Sequence, residues 1–110
     1  MQVYDVAGQV ADTGEYILGA NATGSHACYL IYGVLAAGEA GRELQPGPGH
    51  EEMVLCIRGS LRLTGSHTGT VAAGQAVHLR GVESCLASNP GTGEAVYVIA
   101  GGHTGDGHRH

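Results

Sequence analysis

Seven histidines, ten carboxylates and three cysteines are the side chains of this 110-residue sequence that can bind a metal, move a proton or hold a ligand. His50, Glu51 and Glu52 stand together behind a Pro46-Gly47-Pro48-Gly49 loop, and Cys56 follows on the same extended-chain face as Glu52 and Val54. His78 and Arg80 share a second face, with Cys85 beyond them. A thiolate, a carboxylate and an imidazole brought together can hold Zn²⁺ tetrahedrally, or copper, because thiolate favours softer ions than oxygen donors do. The forked guanidinium of Arg80 matches a carboxylate on a ligand. Each group also has a plainer reading: Cys85 as a small buried hydrophobe, His78 as a half-buried histidine, His50 as an exposed loop residue. His103, His108 and His110 form a His-rich tract that can chelate Ni²⁺ or Zn²⁺ weakly, or simply be solvated. There is no Gly-rich phosphate loop ahead of a helix, no His-Glu-x-x-His, no Cys-x-x-Cys and no Gly-x-Ser-x-Gly.

The elements that must position these groups are short apolar segments punctuated by Gly, Pro, Asn and Ser, with no Gly-free run of helix length at the helical period. The pattern predicts strands over 2–6, 16–19, 27–35, 52–58, 60–64, 70–72, 75–80, 84–88 and 94–100, with turns at Gly59, 65–69, 73–74 and 89–91. So many short strands imply an all-β sandwich or closed barrel, which keeps sheet edges from pairing with other chains. In 52–58 both faces are largely apolar: Glu52, Val54, Cys56 and Arg58 on one, Met53, Leu55 and Ile57 on the other. One face belongs to the interior and the other to a second sheet or subunit, so a homodimer is expected.

At 43% hydrophobic and 14% charged residues, the length suits a single domain over 1–101, followed by a flexible His-rich tail over 102–110. Trp and Phe are absent, so the core must be built from Val, Leu, Ile, Ala and five Tyr. Five Arg against ten acidic residues give a net charge of −5, with nothing to neutralise a row of phosphates. Nucleic acid and anionic membrane surfaces are therefore not expected as partners. The longest apolar stretch, 27–37, falls short of the ~20 residues of a membrane span. A soluble, cytoplasmic protein is expected, because residues 1–11 carry no basic residue of a secretory signal and three cysteines cannot all pair with one another.

The stretch 38–59, GEAGRELQPGPGHEEMVLCIRG, resembles the first cupin motif, in which a His-x-His pair is followed by a Glu and then a Gly; Glu52 and Gly59 keep that spacing. The stretch 74–89, GQAVHLRGVESCLASN, is similar to the second, with Gly74 and Asn89 in register and Arg80, Val82 and Cys85 where the family has Pro, Gly and His. The resemblance spans about residues 27–100. It implies a small jelly-roll (double-stranded β-helix) barrel whose interior holds a metal and a small ligand. The His-x-His positions fall on Gln45 and Gly47, or on Pro46 and Pro48, so the three-His-one-Glu iron or manganese site of the family is not expected.

The resulting expectation is a cupin-like barrel binding a small polar or anionic molecule among Gln45, Glu52, Cys56, His78, Arg80 and Cys85. A divalent transition metal, Zn, Ni or Cu, would sit on Glu52, Cys85 and His50. The motif register makes Glu52 and Arg80 interior neighbours, so Glu52 is expected to pair with Arg80 or a buried water if it is not a ligand. Two alternatives stand beside this: a metal-dependent isomerase, lyase or dioxygenase with replaced ligands, and a metal-sequestering protein acting through His103, His108 and His110.

Overall fold

A computed structural model describes residues 1–104 of the chain. In chain order its strands are β1 (Glu15–Leu18), β2 (Cys28–Leu35), β3 (Arg42–Leu44), β4 (His50–Arg58), β5 (Ser60–Gly65), β6 (Gly69–Ala72), β7 (Ala76–Arg80), β8 (Cys85–Ser88) and β9 (Ala95–His103), with a one-turn helix α1 (Ala20–Thr23) after β1. They form two antiparallel sheets, β1-β2-β9-β4-β7 and β3-β8-β5-β6. Alternation sets the facing surfaces: Val54 and Cys56 of β4, Leu79 of β7, and Tyr97 and Ile99 of β9 meet Leu61 and Leu63 of β5 and Cys85 and Ala87 of β8 in one buried core. This is the all-β jelly roll expected from the sequence.

Three elements depart from expectation. Residues 2–6 form no strand; the Asp5 carboxylate accepts the Gly8 N–H at 3.1 Å and the chain turns into a 3₁₀ segment at Ala7–Gln9, a local bond competing with sheet pairing. The strand β3 was not expected, because three residues are too few to display alternation, yet it pairs along β8. The helix α1 is closed by Gly24, whose φ of 76° suits glycine.

The strand β9 continues to His103, two residues beyond the expected domain boundary, and the Thr104 N–H donates to the Gly49 carbonyl at 2.8 Å. Residues 105–110, which include His108 and His110, lie outside the described residues. No helix among the described residues is long and apolar enough to cross a membrane.

Candidate functional site

Two strands carry the same spacing, Tyr-x-x-x-Gly: Tyr29 to Gly33 in β2 and Tyr97 to Gly101 in β9. Their antiparallel register sets Tyr29 opposite Gly101 and Gly33 opposite Tyr97. Each tyrosine ring then lies over the glycine of the other strand, so that a Cβ at Gly33 would fall inside the Tyr97 ring and one at Gly101 inside the Tyr29 ring. Each phenol thereby reaches a glutamate one strand further on. Tyr29 donates to Glu52 of β4 at 2.5 Å, and Tyr97 donates to Glu15 of β1.

The two ends of this arrangement differ in access. At the Tyr97 end the network is closed: Arg42 donates to the Tyr97 hydroxyl at 2.9 Å, to the Val34 carbonyl at 3.1 Å and to Glu39 at 2.8 Å, and Tyr97 is fully buried. At the Tyr29 end a cavity of about 400 Å³ opens, with Glu52 in its wall. Ile17 and Ile31 give the cavity its apolar side; Gln45, His26, His50 and His103 give it polar edges. Glu52 is 5% exposed, the one buried acidic side chain among the described residues. Burial, and next the bond to Glu52, push the Tyr29 phenol well above the usual tyrosine range, so it remains a hydrogen-bond donor.

His50 enters the site because it precedes Glu52 by two residues on β4 and faces the same way. Its Nδ1 stands 3.2 Å from the Pro48 carbonyl, and its ring meets Tyr29 edge-on with centroids 5.9 Å apart. His103, directly opposite on β9, brings its ring centroid to 4.4 Å from that of His50.

Of the residues expected at the site, Gln45, Glu52 and His50 are brought together around the cavity, and His103 joins them. The remainder lie elsewhere. Arg80 and His78 occupy the outer face of β7, because Leu79 is the residue of that strand opposite Glu52. His78 Nε2 pairs with Glu51 at 2.7 Å and Arg80 is exposed opposite Glu51, so the expected Glu52–Arg80 neighbourhood is not formed. A one-residue offset on a strand is enough to exchange interior for exterior. Cys56 is fully buried, its thiol directed to the Arg58 and Gly59 carbonyls and pushed up by burial. Cys85 is likewise buried in the opposite sheet, with its thiol 3.6 Å from the His67 carbonyl. Both are core hydrophobes carrying a weak donor.

The metal set Glu52, Cys85 and His50 is therefore not assembled, and among the described residues no three His, Cys, Asp or Glu side chains stand together as an ion would need. The metal positions that the cupin resemblance implies, Gln45 and Gly47 or Pro46 and Pro48 with Glu52 and Cys85, do not fit such a site either: Gly47, Pro46 and Pro48 have no side-chain donor, and the Cys85 thiol is directed to a backbone carbonyl. The sequence reading missed Tyr29, His26 and the arginine that is actually interior, Arg42. The repeated Tyr-x-x-x-Gly spacing was the available signal for Tyr29.

No protein-family model matches the sequence, and no curated protein matches it. Solved structures do resemble it. A cupin 2 conserved barrel domain protein from Salinispora arenicola superposes with a TM-score of 0.73 at 15% identity, covering 94% of this chain and 88% of that one. A predicted oxalate decarboxylase from Thermotoga maritima gives 0.66 at 15%, covering 81% and 80%. An oxalate oxidase in complex with the substrate analogue glycolate gives 0.73 at 16%, covering 96% of this chain, which spans 61% of that protein. At such identities the likeness is one of fold, and it agrees with the motif spacing of Glu52, Gly59, Gly74 and Asn89: the chain has the cupin fold.

Proposed function

We propose that the protein binds a small polar molecule at the open end of the barrel, with Glu52 as the principal recognition group. The observation that carries this reading is a buried carboxylate in a cavity wall with a single side-chain partner, Tyr29. One phenol leaves most of its lone pairs free on the cavity side, so a ligand hydroxyl or ammonium is the natural complement. Ile17 and Ile31 would take the ligand's apolar side, and the rim imidazoles its outer polar groups. With Arg80 outside, no arginine among the described residues lines the cavity. The carboxylate therefore favours hydrogen-bond donors over the anion first expected.

The enzyme alternative would need a donor set, and the expected one is dispersed between the cavity and the core. What the oxalate-acting neighbours do is not carried by a fold likeness. A homodimer remains part of the proposal: Met53, Leu55 and Ile57 form an exposed apolar row on the outer face of β4, and a second copy presenting the same row is the self-complementary cover. Light scattering at micromolar concentration would give twice the chain mass; a monomer would remove this part.

The binding reading is tested by a thermal-shift and NMR screen of small polyols and amines against metal-free protein. Hits are expected to perturb Tyr29 and Ile31 resonances and to fail with Glu52→Ala. Compounds that bind equally well to Glu52→Ala, or a panel with no binder, would overturn it.

A further inference from the structure

The rim of the cavity holds a pair of imidazoles that the binding reading does not require. His50 and His103 face each other as the last register pair of the β4–β9 ladder, with ring centroids 4.4 Å apart and planes inclined at 46°. We propose that His50 and His103 form a cross-strand bis-imidazole site for a borderline divalent transition ion, Cu²⁺ or Ni²⁺.

Three observations lead there. Directly opposed residues on antiparallel strands hold their Cβ atoms about 4.5–5.5 Å apart, so the two backbones fix the imidazoles as a preformed pincer and little side-chain entropy is lost on chelation. With both Nε2 atoms turned to one ion at metal–nitrogen bonds of about 2.0–2.1 Å, ring centroids kept 4.4 Å apart would subtend about a right angle. That is the cis angle of tetragonal copper and nickel sites, whereas tetrahedral zinc would need the rings to swing apart. The third observation is the contact of His50 Nδ1 with the Pro48 carbonyl at 3.2 Å. A carbonyl can only accept, so the bond calls for the Nδ1–H tautomer, which leaves the Nε2 lone pair for an ion and orients the ring, as carbonyl partners of metal-binding histidines do.

An ion here is held by the two imidazoles and completed by water; Glu52 and His26 line the cavity beside the pair without joining it as a third ligand. The site differs from the positions that the cupin motifs assign, and from any chelation by His108 and His110. It stands whether or not a small molecule binds.

Titration of the full chain with Ni²⁺ alone, in competition with a chromophoric chelator, tests it. Wild type is expected to take one equivalent, and His50→Gln and His103→Gln each to weaken it by more than the roughly tenfold that loss of an outer-shell partner already costs. The paired variant His108→Ala/His110→Ala and Cys85→Ala are expected to leave it unchanged. Cu²⁺ should show two equatorial imidazole nitrogens in its hyperfine pattern, and Mg²⁺ should not compete. His50 and His103 are at strand ends, and unchanged circular dichroism confirms that both variants fold. Ni²⁺ binding as tight as wild type in His50→Gln or in His103→Gln, or loss of the equivalent in His108→Ala/His110→Ala, overturns the site. Neither result bears on the Glu52 screen, which is run without metal.

Discussion

The phenol of Tyr29 crosses above Gly101, on the strand between, to reach the carboxylate of Glu52. Tyr97 crosses Gly33 towards Glu15 in the same way, so one device is used twice about the β2–β9 pairing. At one end it is sealed by Arg42, and at the other it is left open as a cavity wall.

The two glycines should respond differently to alanine. In Gly33→Ala the new methyl meets the ring of a fully buried Tyr97, which has nowhere to move, and a loss of about 3 kcal/mol is expected from overpacking. In Gly101→Ala the obstacle is the far end of the Tyr29 side chain, which can swing into the cavity. That variant should lose about 1 kcal/mol but also its small-molecule binding. Urea melts of both would check the order; equal losses would mean that the rings are equally free.

Tyr29→Phe should cost about 1–3 kcal/mol, because the buried Glu52 carboxylate then loses its partner. Glu52→Gln should be milder, since an amide oxygen still accepts from the phenol. Thermal melts in which Glu52→Gln proved the worse of the two would show that the carboxylate's charge, not its acceptor role, matters to the fold.

Every described strand except β3 is legible in the apolar segments and the turn residues between them, the short β1, β6 and β8 to within one residue. The strands β2, β4, β5, β7 and β9 lie within a residue or three of their expected ends, and the interior placement of Glu52 and Cys56 followed from the period of two. The site was harder, because it depends on register between strands, which no single strand records. In 76–80 the apolar Val77 and Leu79 alternate with His78 and Arg80 and mark the inward set; the motif spacing, which places Arg80 beside Glu52, points the other way, and the register with Leu79 opposite Glu52 decides for alternation. Arg42 was passed over because β3 is too short to announce itself. His103 falls in the expected tail because the sequence is His-rich with no apolar residue after Ala100, whereas β9 runs on to His103 and Gly101 lies beneath Tyr29.

Alkali should unfold the protein through its tyrosines. Burial first, then the bonds to Glu15 and Glu52, raise the Tyr97 and Tyr29 phenols far above the unfolded value. A raised folded value contributes stability that is complete below the unfolded value of about 10 and declines as pH rises beyond it. Each group should remove up to about 1.4 kcal/mol per pH unit there. Urea midpoints between pH 9 and 12, on the order of the phenol range, should fall for wild type and fall less steeply for Tyr97→Phe. Parallel curves would contradict this.

Asn89 holds the turn after β8 with every polar atom engaged. Its Nδ2 donates to the Leu35, Ala36 and Gly93 carbonyls at 3.1, 3.1 and 2.7 Å, and its Oδ1 accepts the Gly91 N–H at 3.0 Å. Asn89→Ala should cost about 2 kcal/mol through the orphaned carbonyls. Asn89→Asp should be worse despite its shape, since it turns a carboxylate oxygen towards carbonyl oxygens. Chemical denaturation of the pair would settle the order, and a tolerated aspartate would mean that the turn gives way.

The last contrast is between two arginines. Arg42 has a side chain 12% exposed and ties together the Tyr97 hydroxyl, the Val34 carbonyl and Glu39; Glu39 is held below the usual carboxylate range first by the Ala36 N–H and then by Arg42. Removing the guanidinium in Arg42→Ala leaves Tyr97 and the Val34 carbonyl short of a donor at the closed end of the barrel, for a loss of about 3 kcal/mol. Arg42→Lys should recover little, because a single ammonium cannot reproduce the fork. Arg80 donates to Glu83 only through its backbone N–H, at 2.7 Å, a bond that alanine keeps. Arg80→Ala should therefore lie within about 0.5 kcal/mol of wild type and leave small-molecule binding intact. Thermal melts and the ligand screen on both variants would reveal a reversed order, which would put Arg80 back in the interior and Arg42 on the surface.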